Sequence, residues 1–218
     1  MYAFTDKQII GCIKMKNSEL THDSIGSTWS SRLFIVAGVS MLINVILLWV
    51  RRLSDYELSI LWPAIPSLIA LACAVFGLLN LYKQASFNTP LIAKVGASFS
   101  ILACTVLGIA AIWLIANLVF FKENGEQLPQ WFFGLIAVFM ISMILAFLSN
   151  AVAFLQHTHS RNIGLLLSIP LGMWLIMLLI GLMKGMQVGL SLDFYTNAVI
   201  ATAFVFLGLK LRSENTPN

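Results

Sequence analysis

The residues of this chain that could perform acid–base or metal chemistry lie outside its apolar stretches. His157 and His159 stand two positions apart beside Arg161, and with His22 they make up the candidate metal ligands. Pairs of metal ligands on a helix need a spacing of three or four residues, which His157 and His159 lack. The pattern therefore favours rim histidines that contact headgroups or solvent. We predict no metal site and no bound cofactor.

Catalysis inside the apolar stretches would need an acid, a base or an activated nucleophile at that depth. The stretches contain no Asp, Glu, Lys, Arg or His. This composition argues against proton relays, voltage sensors and intramembrane proteases, so the sequence predicts a non-enzymatic protein without catalytic residues. One alternative stays open, an enzyme that acts on lipid headgroups through residues at the two rims. Those residues would be Glu57, Glu123, Glu126 and Asp193 on one side and His157 and Arg161 on the other.

Four positions inside the stretches are candidates for a polar site or a hinge: Asn44, Asn150, Pro66 and Pro170. Asn44 lies nearest the middle of its stretch and would pair with Asn150 or contact a substrate. An interhelical hydrogen bond of this kind contributes about 0.6 kcal/mol on average. A proline inside a helix frees a carbonyl and bends the helix, and such breaks mark binding sites in some transporters. For all four positions, ordinary packing or a plain kink is the favoured interpretation.

Small residues recur at a spacing of four positions in two of the stretches. Residues four apart share a helix face, so each set predicts a shallow surface on which another helix packs closely. A dimer contact or a groove for a lipid or ligand is the alternative interpretation. The first set, the 96–108 stripe, consists of Gly96, Ser100, Cys104 and Gly108, and the second, the 164–172 stripe, of Gly164, Ser168 and Gly172.

The overall composition excludes several classes of protein. Of the 218 residues, 59% are hydrophobic and 10% are charged. Soluble domains contain about 45–50% apolar and about 25% charged residues. A chain this apolar cannot cover a soluble globule with polar side chains, which excludes an ordinary soluble domain, a disordered chain and a nucleic-acid-binding protein. We predict that the lipid bilayer is one partner of the chain. A second membrane protein or another copy of the chain is the other predicted partner.

A transmembrane helix needs about 20 apolar residues, and six stretches of the chain reach or nearly reach this length. The predicted fold is therefore an all-α bundle of six transmembrane helices, in one domain over residues 32–211. Residues 1–31 form a predicted tail that has room for a short interfacial helix, and residues 212–218 form the second tail. An Ile-Pro pair followed by a Gly-Leu pair in the second and fifth stretches leaves open two inverted three-helix halves. The stretches are 33–50, 58–81, 95–121, 130–155, 163–183 and 194–209.

The distribution of basic residues predicts the orientation in the membrane. Cytoplasmic loops carry an excess of Lys and Arg. The side that holds both tails carries nine of these residues and the other side four, which places both termini in the cytoplasm, most simply of a plasma (inner) membrane. The nine are Lys7, Lys14, Lys16, Arg32, Lys83, Lys94, Arg161, Lys210 and Arg212, and the four are Arg51, Arg52, Lys122 and Lys184.

These features together predict a multi-pass membrane protein without a recognisable catalytic site. The favoured function is an accessory, scaffold or assembly module that works through helix packing. The alternative is a passive or facilitated transporter or channel for a small neutral solute or lipid, suggested by Pro66 and Pro170. A dry, filled interior would favour the first function. A hydrated cavity near Asn44 and the two prolines would favour the second.

Overall fold

In the part of the chain that the structure describes, the fold is an all-α bundle of six helices, as the sequence predicts. The computed structural model describes residues 6–54, 61–86, 89–116, 129–156, 160–184 and 193–215. Each of the six helices contains a segment long and apolar enough to cross a bilayer, so the chain is a multi-pass integral membrane protein. The helices are α1 (Asp6–Leu53), α2 (Leu61–Ser86), α3 (Pro90–Ala116), α4 (Gln130–Leu155), α5 (Arg161–Lys184) and α6 (Asp193–Asn215).

Helix α1 is much longer than the first apolar stretch. It runs without interruption for 48 residues from Asp6 to Leu53, whereas its membrane-spanning segment is Thr28–Leu53. The first tail is therefore helical from Asp6 onward, and an interfacial location of this part of α1 stays a prediction. The helix continues through the tail because no proline occurs between Asp6 and Leu53, and the isolated glycines Gly11 and Gly26 weaken a helix without ending it.

Prolines stand at the start of two helices. Pro90 is the first residue of α3, a position where the missing N–H of proline costs no hydrogen bond. Pro129 directly precedes α4 with an extended backbone. The turn into α3 is also closed by Thr89, whose hydroxyl donates to the carbonyl of Ala85 at 3.1 Å. These local features determine where α3 and α4 begin.

The six helices form a closed ring in chain order. Each helix packs against the next, α6 packs back against α1, and α2 also touches α4 across the ring. Any up-and-down ring has this neighbour order, so the predicted pair of inverted halves stays a prediction.

The surface of the bundle is apolar, as contact with lipid requires. Large hydrophobic side chains such as Leu91, Ile112 and Met183 are more than 70% exposed. On a soluble protein a surface of this kind would cause aggregation, whereas acyl chains cover it at no cost in hydration. Trp29, at the start of the membrane-spanning segment of α1, and Trp131, at the start of α4, are also exposed, as expected for side chains at the headgroup level.

Candidate functional site

The centre of the bundle is filled by large apolar side chains. Four rings contributed by four different helices touch one another and form what we call the aromatic chain: Phe34, Phe204, Phe147 and Trp174. The ring centroids of Phe204 lie 5.9 Å from those of both Phe34 and Phe147, and the Phe147 and Trp174 centroids lie 5.3 Å apart. All three phenylalanines are fully buried. The aromatic chain thus links α1, α6, α4 and α5 through the interior.

The backbones of α1 and α6 approach closely at what we call the α1–α6 seam, defined by Ser31 and Gly38 on α1 and Ala201 and Gly208 on α6. A Cβ atom at position 38 would lie 2.8 Å from the carbonyl oxygen of Ala201, and one at position 208 would lie 2.8 Å from that of Ser31. Neither distance leaves room for a methyl group. The Ser31 hydroxyl uses this proximity to donate to the Gly208 carbonyl at 2.8 Å. The seam therefore joins the two ends of the ring.

Helix α1 makes a second tight contact, with α2. A Cβ at position 77 would lie 2.9 Å from the ring of Phe34, so Gly77 provides the recess into which that ring fits. The buried hydroxyl of Ser30 lies 3.4 Å from the Gly77 carbonyl, to which it donates. Sequence reasoning missed both contacts of α1, because it searched for small residues four positions apart. The seam residues stand seven positions apart on each helix, which is about two helical turns. This spacing is the sequence signal that would have predicted the contact.

The 96–108 stripe on α3 divides into a packed end and an open end. Gly96 faces α4, where an added Cβ would lie 2.9 Å from the side-chain nitrogen of Asn150. Ser100 is fully buried and donates to the carbonyl of Gly96. Cys104 is half-buried, and Gly108 has open space around its Cα. The half of the predicted stripe nearest the start of α3 is therefore where α3 meets α4.

The 164–172 stripe on α5 shows the same division. An added Cβ on Gly164 would lie 2.8 Å from the backbone nitrogen of Leu155, so α4 and α5 approach closely just after their short connection. Ser168 is half-buried and donates to the carbonyl of Leu165 in its own helix. Gly172 has open space around it.

The two candidate asparagines are buried but are not brought together. The amide nitrogen of Asn44 lies 3.7 Å from the sulfur of Met41, a weak acceptor one turn earlier on α1. The amide nitrogen of Asn150 donates to the carbonyl of Ala146 at 2.8 Å within α4. Each amide thus bonds inside its own helix instead of across the bundle.

The candidate prolines lie inside continuous helices. Pro66 falls within α2, and Pro170 falls within α5 and is buried. Proline removes the hydrogen bond to the carbonyl four residues earlier, and in membranes neighbouring groups often satisfy that carbonyl. Both helices continue past their prolines for more than three turns. The geometry at these positions is compatible with a plain kink.

The candidate metal ligands and rim acids fall only partly within the described residues. Inside the described ranges, no group of three or more His, Cys, Asp or Glu side chains comes together. His157, His159, Glu57, Glu123 and Glu126 lie outside the described residues, and so does the side chain of His22. Asp193 opens α6 and Arg161 opens α5. The two described rim candidates thus stand at the starts of helices.

Comparisons of the chain with protein families, with curated proteins and with solved structures find no match. The function is therefore inferred from the geometry of the bundle alone.

Proposed function

We propose that this chain is a non-enzymatic accessory, scaffold or assembly module of the membrane, which works by packing its helices against a partner. The observation that carries the proposal is the filled interior. The aromatic chain crosses the bundle, and the fully buried Met143, Leu167 and Ile200 belong to the same core. Interiors packed in this way favour a rigid body over a conduit.

The use of polar side chains inside the bundle supports the same function. The hydroxyls of Ser100, Ser142 and Ser149 each donate to the carbonyl four residues earlier in their own helix, at 2.7–2.9 Å. A serine hydroxyl bonded in this way has used its single donor within its own helix. These serines therefore serve as small, satisfied packing residues.

The alternative function, a passive transporter or channel for a small neutral solute or lipid, has less support. It would need a polar path near Asn44, Pro66 and Pro170. The rings of Phe147 and Phe204 instead lie 5.9 Å apart in the interior, and both are fully buried. A transport cycle would have to separate the helices that this contact joins.

The state of assembly in a native-like membrane tests the proposal. The tagged full chain is extracted into nanodiscs directly from the membrane of the expressing cell, without detergent, and the particle mass is measured. We expect a particle that contains more than one protein chain in a fixed ratio, either a second copy of this 24.1 kDa chain or a different membrane protein. A uniform population of single chains would overturn the proposal.

We also propose that both termini face the cytoplasm of a plasma (inner) membrane. The excess of Lys and Arg on the side of the two termini supports this orientation. Green fluorescent protein fused after Asn218 should fluoresce, because it folds poorly when exported unfolded to an oxidising compartment. Activity of an alkaline phosphatase fused at the same position would contradict this orientation.

A further inference from the structure

A groove opens toward lipid between α5 and α6, at the end of the bundle where α5 begins and α6 ends. It is shallow and open, with a volume of about 530 Å³. The walls are apolar and come from both helices, with Leu165 on α5 and Phe206 and Leu209 on α6. These three side chains are about half exposed. The groove is therefore a place where an acyl chain fits beside the helices.

The mouth of the groove is polar and carries positive charge. Asn162 and Lys210 line it, directly where the apolar part of each helix gives way to the membrane surface. Lys210 lies one position after the last apolar stretch, and Arg161 and Arg212 flank the lining residues in sequence. The start of α5 also contributes the positive end of its helix dipole. An anionic group is the complement of this surface.

Lys210 is partly neutralised by an acid on its own helix. Its Nζ lies 3.5 Å from the carboxylate of Glu214, and both side chains remain about one third exposed. An exposed ion pair four residues apart on a helix is weak, because water screens both charges. A phosphate at the groove mouth can therefore compete with Glu214 for the ammonium group.

We propose that this groove binds one anionic phospholipid, with an acyl chain along Leu165, Phe206 and Leu209 and the phosphate beside Lys210 and Asn162. Basic pockets between transmembrane helices recognise anionic headgroups by the same combination of charge and apolar wall. In this groove the charge and the apolar wall occur together, whereas an exposed apolar side chain alone contacts any acyl chain equally.

The test uses the purified full chain in nanodiscs that contain phosphatidylcholine and phosphatidylglycerol. The quantity measured is the ratio of the two lipids that stay bound, determined by native mass spectrometry. One basic residue near a membrane surface contributes about 1 kcal/mol toward an anionic lipid, or about fivefold in affinity. Lys210→Gln should therefore lower the preference for phosphatidylglycerol by about fivefold. Glu214→Gln should raise it, because the carboxylate no longer competes with the phosphate.

Lys94→Gln is the matched control. Lys94 is exposed on α3, which runs in the same direction as α5, so it lies near the same membrane surface but away from the groove. The control should leave the preference unchanged. Equal losses in Lys94→Gln and Lys210→Gln would show general attraction to the surface and overturn the proposal.

Two further outcomes distinguish a bound lipid from a plain ion pair and from a free phosphate site. If Lys210 serves only to pair with Glu214, then Lys210→Gln and Glu214→Gln should change thermal stability by the same amount and leave the lipid ratio at its wild-type value. That result would contradict the lipid site. If Lys210→Gln does not fold, an unchanged ratio in Glu214→Gln is sufficient to reject it. Excess inorganic phosphate should not displace the lipid, and displacement would mean that the mouth binds free phosphate instead.

Discussion

Gly38 and Gly208 allow two backbones to touch at the α1–α6 seam, and a single methyl group is enough to test that contact. We expect Gly38→Ala to lower the free energy of unfolding by about 1–3 kcal/mol, because the new Cβ would meet the backbone of α6 and cannot be relieved by a side-chain rotation. The measurement is unfolding by sodium dodecyl sulfate in mixed micelles, followed by circular dichroism.

Gly108→Ala is the control for this variant, since open space surrounds that glycine. Alanine is the better helix former by about 1 kcal/mol, so this control should match or exceed the wild type in stability. If Gly38→Ala unfolds as the control does, the seam is looser than its geometry implies.

Ser31 provides a second test at the same seam, because its hydroxyl bonds between helices. Ser31→Ala removes the 2.8 Å bond to the Gly208 carbonyl and should cost about 0.6 kcal/mol, the average for such bonds in membranes. Ser98→Ala is the matched control, because the exposed Ser98 hydroxyl donates to the Lys94 carbonyl of its own helix. Equal unfolding curves for the two variants would mean that the interhelical bond adds nothing to stability.

At the scale of the helices, the sequence predicts where each element lies better than which face it buries. The prediction of six transmembrane helices is confirmed, because runs of about 20 apolar residues without charge leave few alternatives. Helix ends differ from the stretches because a helix continues into the polar headgroup region. Helix α2, for example, reaches Ser86, whereas the second stretch ends at position 81.

The buried faces could not be predicted because lipid removes the usual contrast between the two sides of a helix. A helix in water shows a polar and an apolar face, whereas here both the core and the lipid select apolar residues. Helix α6 illustrates the difficulty, since Phe204 is fully buried and Phe206 is 57% exposed. The candidate residues chosen at a spacing of four likewise included Gly108 and Gly172, which have open space, and omitted Gly38 and Gly208.

The same pair of phenylalanines tests the inward face of α6. Phe204→Ala should lower the free energy of unfolding by about 3–5 kcal/mol, because it removes the ring that links Phe34 and Phe147 and leaves a cavity. Phe206→Ala removes a ring that lipid already surrounds and should cost far less. The two variants are compared by unfolding in mixed micelles. Similar losses for both would mean that α6 presents a different face to the core.

At the scale of the whole molecule, the closed ring of helices has two features that bear on permeation. Its two ends are closed on each other by the α1–α6 seam, and its interior is occupied by the aromatic chain. Movement of a solute between the helices would require the rings of Phe147 and Phe204 to part and the seam or another helix contact to open. A packed interior resists such changes because each displaced side chain loses its contacts.

We therefore expect liposomes that contain the purified chain to retain an entrapped small neutral solute, such as glycerol, as long as protein-free liposomes do. Release is measured by light scattering after an osmotic step, with gramicidin-containing liposomes as the permeable control for water. Faster, saturable release from liposomes with the wild-type chain would contradict the packing module and favour the transporter. The Phe204→Ala variant adds a direct comparison, because a cavity enclosed within the bundle lowers stability without creating a path, so its liposomes should stay as tight as those of the wild type.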